Sequence, residues 1–225
     1  MLTRIYSAFL VALCFLGFAA ANVEKEIFLG PAPSSWSLNG VGDHLPQLAP
    51  SEHCSNCRAI RSRLSTSFAG KGAEHWVKID GLKEAKRYEV RICWAATQPT
   101  DFTLDLYTPE QVLAESLLDS IREYSSNSPT ARIEGEGQVL YLRVLAKTAY
   151  VSSSRARMEN PEPVDVDIIL DPYLLNVLPE SLLKIVGLLV VVAVFSWWLG
   201  GWVHRALLGV ASSGKSAKAG VKKDI

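Results

Sequence analysis

Cysteine and histidine are scarce in this 225-residue chain, with four of each, and they do not repeat at the spacing a structural zinc module requires. His53, Cys54, Cys57 and His75 offer one close pair and one distant histidine, too few fixed ligands to assign a metal site. No Gly-rich phosphate loop and no G-x-S-x-G elbow is assigned. Basic and aromatic residues do not interleave in a patch, which excludes nucleic acid as the expected partner. There is no N-x-S/T acceptor, because Asn127-Ser128-Pro129 fails at its third position. Acids are plentiful but scattered. Asp101 and Asp105 flank one predicted strand, and Asp165 and Asp167 share a face of another. No segment marks a carboxylate pair around a sugar, as glycoside chemistry needs. No catalytic residue, cofactor or metal ligand is therefore assigned.

Long apolar runs number two, and both are at chain ends. Ile185 to Val203 reads IVGLLVVVAVFSWWLGGWV without a charge, between Lys184 and His204-Arg205. At about 1.5 Å per residue it covers roughly the ~30 Å hydrocarbon core of a bilayer. Trp197, Trp198 and Trp202 gather near its C-terminal end, where indole rings favour the headgroup level. The other run, Ile5 to Phe18, follows Arg4 and precedes Ala19-Ala20-Ala21, the arrangement of a secretory signal with cleavage before Asn22. The net charge of zero conceals an asymmetry: Asn22 to Glu180 carries 16 Lys and Arg against 22 Asp and Glu. Beyond the span stand Arg205, Lys215, Lys218, Lys222 and Lys223 against Asp224. Positive charge stays cytoplasmic, so a type I single-pass protein is expected. Its parts are a signal peptide (1–21), a luminal domain (22–178), a juxtamembrane segment (179–184), a transmembrane helix (185–203) and a cytosolic tail (204–225). Lys222 and Lys223, at the dilysine spacing of the terminal KKDI, form an expected retrieval signal read by the coat-protein machinery of the endoplasmic reticulum.

Between signal and span, Pro31 to Gly72 shows no sustained period and reads as loops, after one short strand at Glu24–Leu29. Thereafter the pattern turns to β-type runs separated by turn residues: His75–Ile79, Tyr88–Ala95, Phe102–Tyr107, Ala131–Ile133, Val139–Ala146 and Val164–Leu170. Val139–Leu145 is apolar enough for a central strand, whereas Val164-Asp165-Val166-Asp167-Ile168 alternates as a half-buried one should. Val112, Leu113, Leu117, Ile121 and Tyr124 predict one helix over Pro109 to Tyr124, with Thr108 at its N-cap. Leu82 and Tyr88, around Gly81-Leu82-Lys83-Glu84-Ala85-Lys86-Arg87, match the corner of fibronectin-type sandwiches, closed by a tyrosine hydroxyl on backbone. The expected fold is a mostly β, sandwich-like domain with one helix, plus a single C-terminal transmembrane helix.

Cys54, Cys57 and Cys93 survive signal removal, and an oxidising lumen permits a disulfide between two of them. Cys54-Ser55-Asn56-Cys57 has redox-dithiol spacing, with Arg58, Arg61 and Arg63 able to lower a thiol pKa, but no βαβ pattern surrounds it. Asp171 to Leu183 is apolar enough to lie in the interface before the span. Ser196 and Gly200 are four apart in the span, the spacing at which helices can approach closely.

Four stretches, EKEIFLGP (Glu24–Pro31), RYEVRICWAATQPTDFTLDL (Arg87–Leu106), LYLRV (Leu140–Val144) and VDIILDPYLLNVLP (Val166–Pro179), occur in order before the span. Together they resemble the fungal GPI-mannosyltransferase II co-activator family. The resemblance covers about half of the mature chain and leaves Cys54–Cys57 and the Pro31–Gly72 loop outside. It implies a non-catalytic subunit of the enzyme adding the second mannose to GPI precursors, with a polytopic catalytic subunit as partner and the endoplasmic reticulum membrane as site. Two alternatives share this topology: a subunit of another endoplasmic-reticulum glycosylation complex, and a cargo receptor cycling to the Golgi. A luminal thiol oxidoreductase is a third. The cargo reading is weakened by a polar, proline-bearing Ser152–Pro163 and by the lack of an aromatic after Arg205.

Overall fold

The computed structural model describes residues 22–33, 44–50, 57–126 and 138–220. The chain divides into two compact units between Val177 and Leu178. The expected signal peptide (1–21), Cys54, the strand expected at Ala131–Ile133, and Lys222 and Lys223 lie outside the described residues.

The first unit is built from β1 (Val23–Leu29), β2 (Gln47–Leu48), β3 (Ala59–Leu64), β4 (Ala73–Leu82), β5 (Arg87–Trp94), β6 (Thr100–Tyr107), β7 (Gln138–Thr148) and β8 (Val164–Leu174). Between β6 and β7 lie helices α1 (Pro109–Ala114) and α2 (Leu118–Ser126), and between β7 and β8 a short helix α3 (Arg155–Glu159). One sheet has the order β1-β5-β8-β3, the other β2-β4-β7-β6. Alternation decides which side chains face inward. Tyr88, Val90 and Ile92 of β5 and Val164, Val166, Ile168 and Leu170 of β8 are buried against Val77, Ile79, Leu142 and Val144 of the facing sheet. Trp94 from one sheet meets Phe102 from the other edge-on, with ring centroids 4.7 Å apart. A sandwich results, as expected. β7 is central and runs antiparallel to both β4 and β6, which accounts for its unbroken apolar run.

A second core fills the outer face of the β4-β7 sheet. Trp76, Tyr107 and Tyr141 project away from the sandwich and are covered by Val112 and Ile121. The Trp76 indole N–H donates to Ser120 Oγ at 3.1 Å. Thr108 caps α1 as expected, by a capping box: its hydroxyl accepts from the Gln111 amide, and the Gln111 side-chain oxygen accepts from the Thr108 amide. The single helix expected over Pro109–Tyr124 is broken. Ser116 takes φ 56° after α1. The Ser116 N–H reaches the Leu113 carbonyl, and the Leu117 N–H reaches the Val112 carbonyl at 3.0 Å. That is a Schellman stop, which redirects the chain so that both Val112 and Ile121 face the same core.

Part of the region expected to be loop is strand. β3 pairs with β8, and β2 pairs with β4 in parallel. β3 alternates Ile60, Ser62 and Leu64 inward with Arg61 and Arg63 outward. Those arginines face Asp167 and Asp165 of β8 across the ladder. Arg61 binds Asp167 with two hydrogen bonds, at 2.8 and 2.9 Å. They are cross-strand charge partners.

The second unit contains a two-residue strand β9 (Leu178–Pro179), a 3-10 turn (Glu180–Leu182) and the helix α4 (Leu183–Gly220) of 38 residues. Glu180–Arg205 is long and apolar enough to cross a membrane. The helix continues beyond the expected span end at Val203.

Candidate functional site

Among the described residues, no three His, Cys, Asp or Glu side chains converge as a metal centre requires. Cys57 is buried and disulfide-bonded, with its partner sulfur outside the described residues. Cys93 is a free thiol on β5, and burial pushes its pKa up, away from reactivity. The Cys57 amide oxygen accepts the Ala49 N–H at 2.9 Å, which ties this segment to the end of β2.

The tail also contains a spacing that sequence reading passed over. Gly209-Val210-Ala211-Ser212-Ser213-Gly214-Lys215-Ser216 fits G-x-x-x-x-G-K-S. A phosphate loop needs a strand before it and free backbone amides. Here the whole stretch is α-helix inside α4, where backbone amides are spent on helical hydrogen bonds. The spacing makes no phosphate site.

The most organised polar group stands on the outer face of the β1-β5-β8 sheet. Glu89 and Asp171 are directly opposite each other in register. Arg91 Nη1 bridges them, at 3.4 Å to Glu89 and 3.5 Å to Asp171. Lys25 Nζ reaches Glu89 at 3.3 Å, and the Tyr173 hydroxyl donates to the same oxygen at 3.3 Å. Burial and then the Glu89 charge push the Tyr173 phenol pKa up, so it remains a donor. Two carboxylates are thus held by two cations of the same chain. The arrangement locks three strands together, and losing one partner would strand a buried charge.

Beside it, the β4-β5 corner forms as the sequence predicts. The Tyr88 hydroxyl accepts the Lys83 N–H at 3.0 Å, and Leu82 and Tyr88 are fully buried. Gly30 closes the corner: its N–H donates to the Lys86 carbonyl and its carbonyl accepts from Ala85. A side chain at Gly30 would strike the Lys83 carbonyl. β8 then ends in a turn clamped to the corner. Asn176 accepts the Arg87 N–H at 2.8 Å and donates to the Ala85 carbonyl at 2.9 Å. The segment expected as interfacial, Asp171–Leu183, is accordingly divided. Asp171 and Tyr173 are buried in the strand, whereas Leu174, Leu175 and Val177 are exposed.

A polar cleft of about 270 Å³ is lined by Thr66, Gln98, Thr100, Tyr150, Arg157 and Glu162. It belongs to the other pole of the domain, since Val164 at the start of β8 lines it. Its polar groups are largely turned on one another: the Tyr150 hydroxyl donates to the Arg157 carbonyl, and Thr66 donates to the Glu162 carbonyl.

Along α4, Ser196 and Gly200 stand one turn apart on the exposed helix, and the space at Gly200 is open. Large side chains such as Trp197, Trp198 and Trp202 are exposed there as well. The described residues thus present a stapled β domain, in which no metal cluster is found, and an apolar helix whose large side chains are exposed.

No curated protein and no solved structure matches the chain. A family model does match, over residues 38–125, the stretch running from the segment before β2 through α2. That match contains Cys54–Cys57 and much of the loop-rich region expected to lie outside the family pattern, and of the four resembling stretches it contains only Arg87–Leu106. The family it describes is the GPI-mannosyltransferase II co-activator, so the resemblance drawn from the sequence is borne out over residues 38–125.

Proposed function

We propose that this chain is a non-catalytic subunit of the mannosyltransferase that adds the second mannose to GPI precursors. The observation that carries this reading is the co-activator match over residues 38–125. The polytopic catalytic subunit, in the endoplasmic reticulum membrane, supplies the chemistry. The present chain stabilises or retains it, with the β domain in the lumen and the tail in the cytosol. Contact is made through the α4 span, where Ser196 and Gly200 permit close helix approach. Residues 1–21 are the signal that delivers the domain to the lumen.

Depletion of the protein should make a GPI precursor bearing one mannose accumulate, read by radiolabelled inositol lipids. Accumulation of a precursor without mannose would instead assign it to the first transferase. For the tail, replacing Lys222 and Lys223 by serine should let the protein reach later compartments, as measured by fractionation. If the variant stays in place, the coat machinery is not what holds it and partner binding retains it.

A further inference from the structure

The turn after β8 combines features that nothing inside the domain explains. The Leu174 carbonyl accepts the Val177 N–H at 3.1 Å, and the two residues between, Leu175 and Asn176, have φ of 51° and 58°. Both central residues are left-handed, the conformation that tight hairpin turns require and that asparagine and glycine tolerate. Leucine is a poor choice there, because its Cβ crowds the carbonyl in left-handed backbone. It gains no packing in return: Leu175 is 87% exposed and Val177 77%. A strained, solvent-facing leucine held rigidly by the Asn176 clamp points to a role outside the domain.

The surroundings say which role. Lys83, Lys86 and Arg87 lie on the corner to which Asn176 is bound, with Glu84 as the one acid among them. Leu29, also exposed, is the register partner of Arg87. An apolar tip ringed by cations matches the boundary between acyl chains and lipid phosphates. The tether sets the distance. Seven residues lie between Val177 and Ile185, where the uncharged run begins, which makes eight Cα-to-Cα steps. Fully extended they reach at most about 27 Å, and the 3-10 turn within them shortens that reach. This pole cannot stray far from the bilayer that the span crosses.

We infer that the Leu174–Val177 turn is a membrane-docking tip: it inserts Leu175 and Val177 into the leaflet while Lys83, Lys86 and Arg87 engage anionic headgroups. The occupant is lipid. The inference rests on the span crossing a membrane, not on the co-activator role, so the two can fail separately.

The test uses the full chain alone in vesicles of phosphatidylcholine with phosphatidylinositol. A polarity-sensitive fluorophore is attached at Val177→Cys in a Cys93→Ser background. A control label goes on Val151→Cys, a 93% exposed position beside the cleft at the other pole. The label at 177 should be quenched by doxyl-bearing lipids and at least five-fold less accessible to aqueous iodide than the label at 151. Leu175→Gly should leave thermal unfolding unchanged or slightly raised, since it relieves the backbone, yet restore most of the iodide access. Lys83→Gln, Lys86→Gln and Arg87→Gln together should weaken protection when phosphatidylinositol is present and change little in its absence. Equal iodide access at 177 and 151 overturns the inference. So does protection at 177 that survives Leu175→Gly, which would reflect nearness to the span alone. Protection that appears only when a mannosyltransferase is co-reconstituted would mean that protein, not lipid, covers the tip.

Discussion

Gly30 shows how a single residue carries the corner of this fold. Its backbone binds both Lys86 and Ala85, and any Cβ would meet the carbonyl of Lys83, the residue whose own N–H is held by Tyr88. Gly30→Ala must therefore push the corner open. Destabilisation of about 1–3 kcal/mol is expected from such overpacking, read by chemical or thermal unfolding of the detergent-solubilised chain. His75 makes a pH prediction. Burial lowers its pKa below the ordinary value of about 6.5, outweighing the hydrogen bond to the Ser65 carbonyl. The unfolded state then binds a proton more readily than the folded state. Stability contributed by neutral His75 is complete above about pH 6.5 and declines as the pH falls below it, down to the folded-state pKa. The midpoint of unfolding should thus fall between pH 7.5 and 5.5, and His75→Gln should reduce that slope; an unchanged slope removes His75 as the cause. At this scale legibility was uneven. Leu82 and Tyr88 could be recognised because the corner is local, the two residues standing six positions apart. Arg61 and Arg63 read as neighbours of a dithiol, because their partners Asp167 and Asp165 stand about a hundred positions away and no local pattern signals them.

Among the elements, the strands with clean alternation or continuous apolar runs were the ones legible in advance. β8 and β7 fall where Val164–Leu170 and Val139–Ala146 were expected, each longer by a few residues. β3 was missed since its outward positions are arginines and one inward position is Ser62, which dilutes the period. The helix break was illegible for a different reason: Ser116 carries no turn signal, and tertiary packing of Leu117 beside Val112 selects the stop. That gives a direct test. Ser116 at φ 56° bears a strain that glycine does not. Ser116→Gly should stabilise the domain by about 0.5–1 kcal/mol, because glycine suits the left-handed C′ position of a Schellman motif. If the uninterrupted helix were the true state, the same change would destabilise it by a similar amount. Denaturant unfolding distinguishes the two signs. In α4, Gly200→Leu should leave the β domain's unfolding untouched while lowering recovery of a partner that packs on the Ser196–Gly200 face.

On the scale of the whole molecule, the described residues divide into a β-sandwich and an apolar helix long enough to cross a membrane. The sequence displayed this division because hydropathy and alternation are read directly from residue order. It could not display the clamp between Asn176 and the β4-β5 corner, which joins positions 89 and 91 residues apart. Nor could it reveal that Glu89 and Asp171 face each other, since register is a property of pairing. The central claim is that this chain is a subunit, bound to a mannosyltransferase that does the chemistry. Affinity purification in mild detergent tests it most directly, with the tag placed just after Asn22 so that Lys222 and Lys223 remain free. The account predicts recovery of the second GPI mannosyltransferase in near-equal amount. Recovery of coat and cargo proteins with no mannosyltransferase would contradict it.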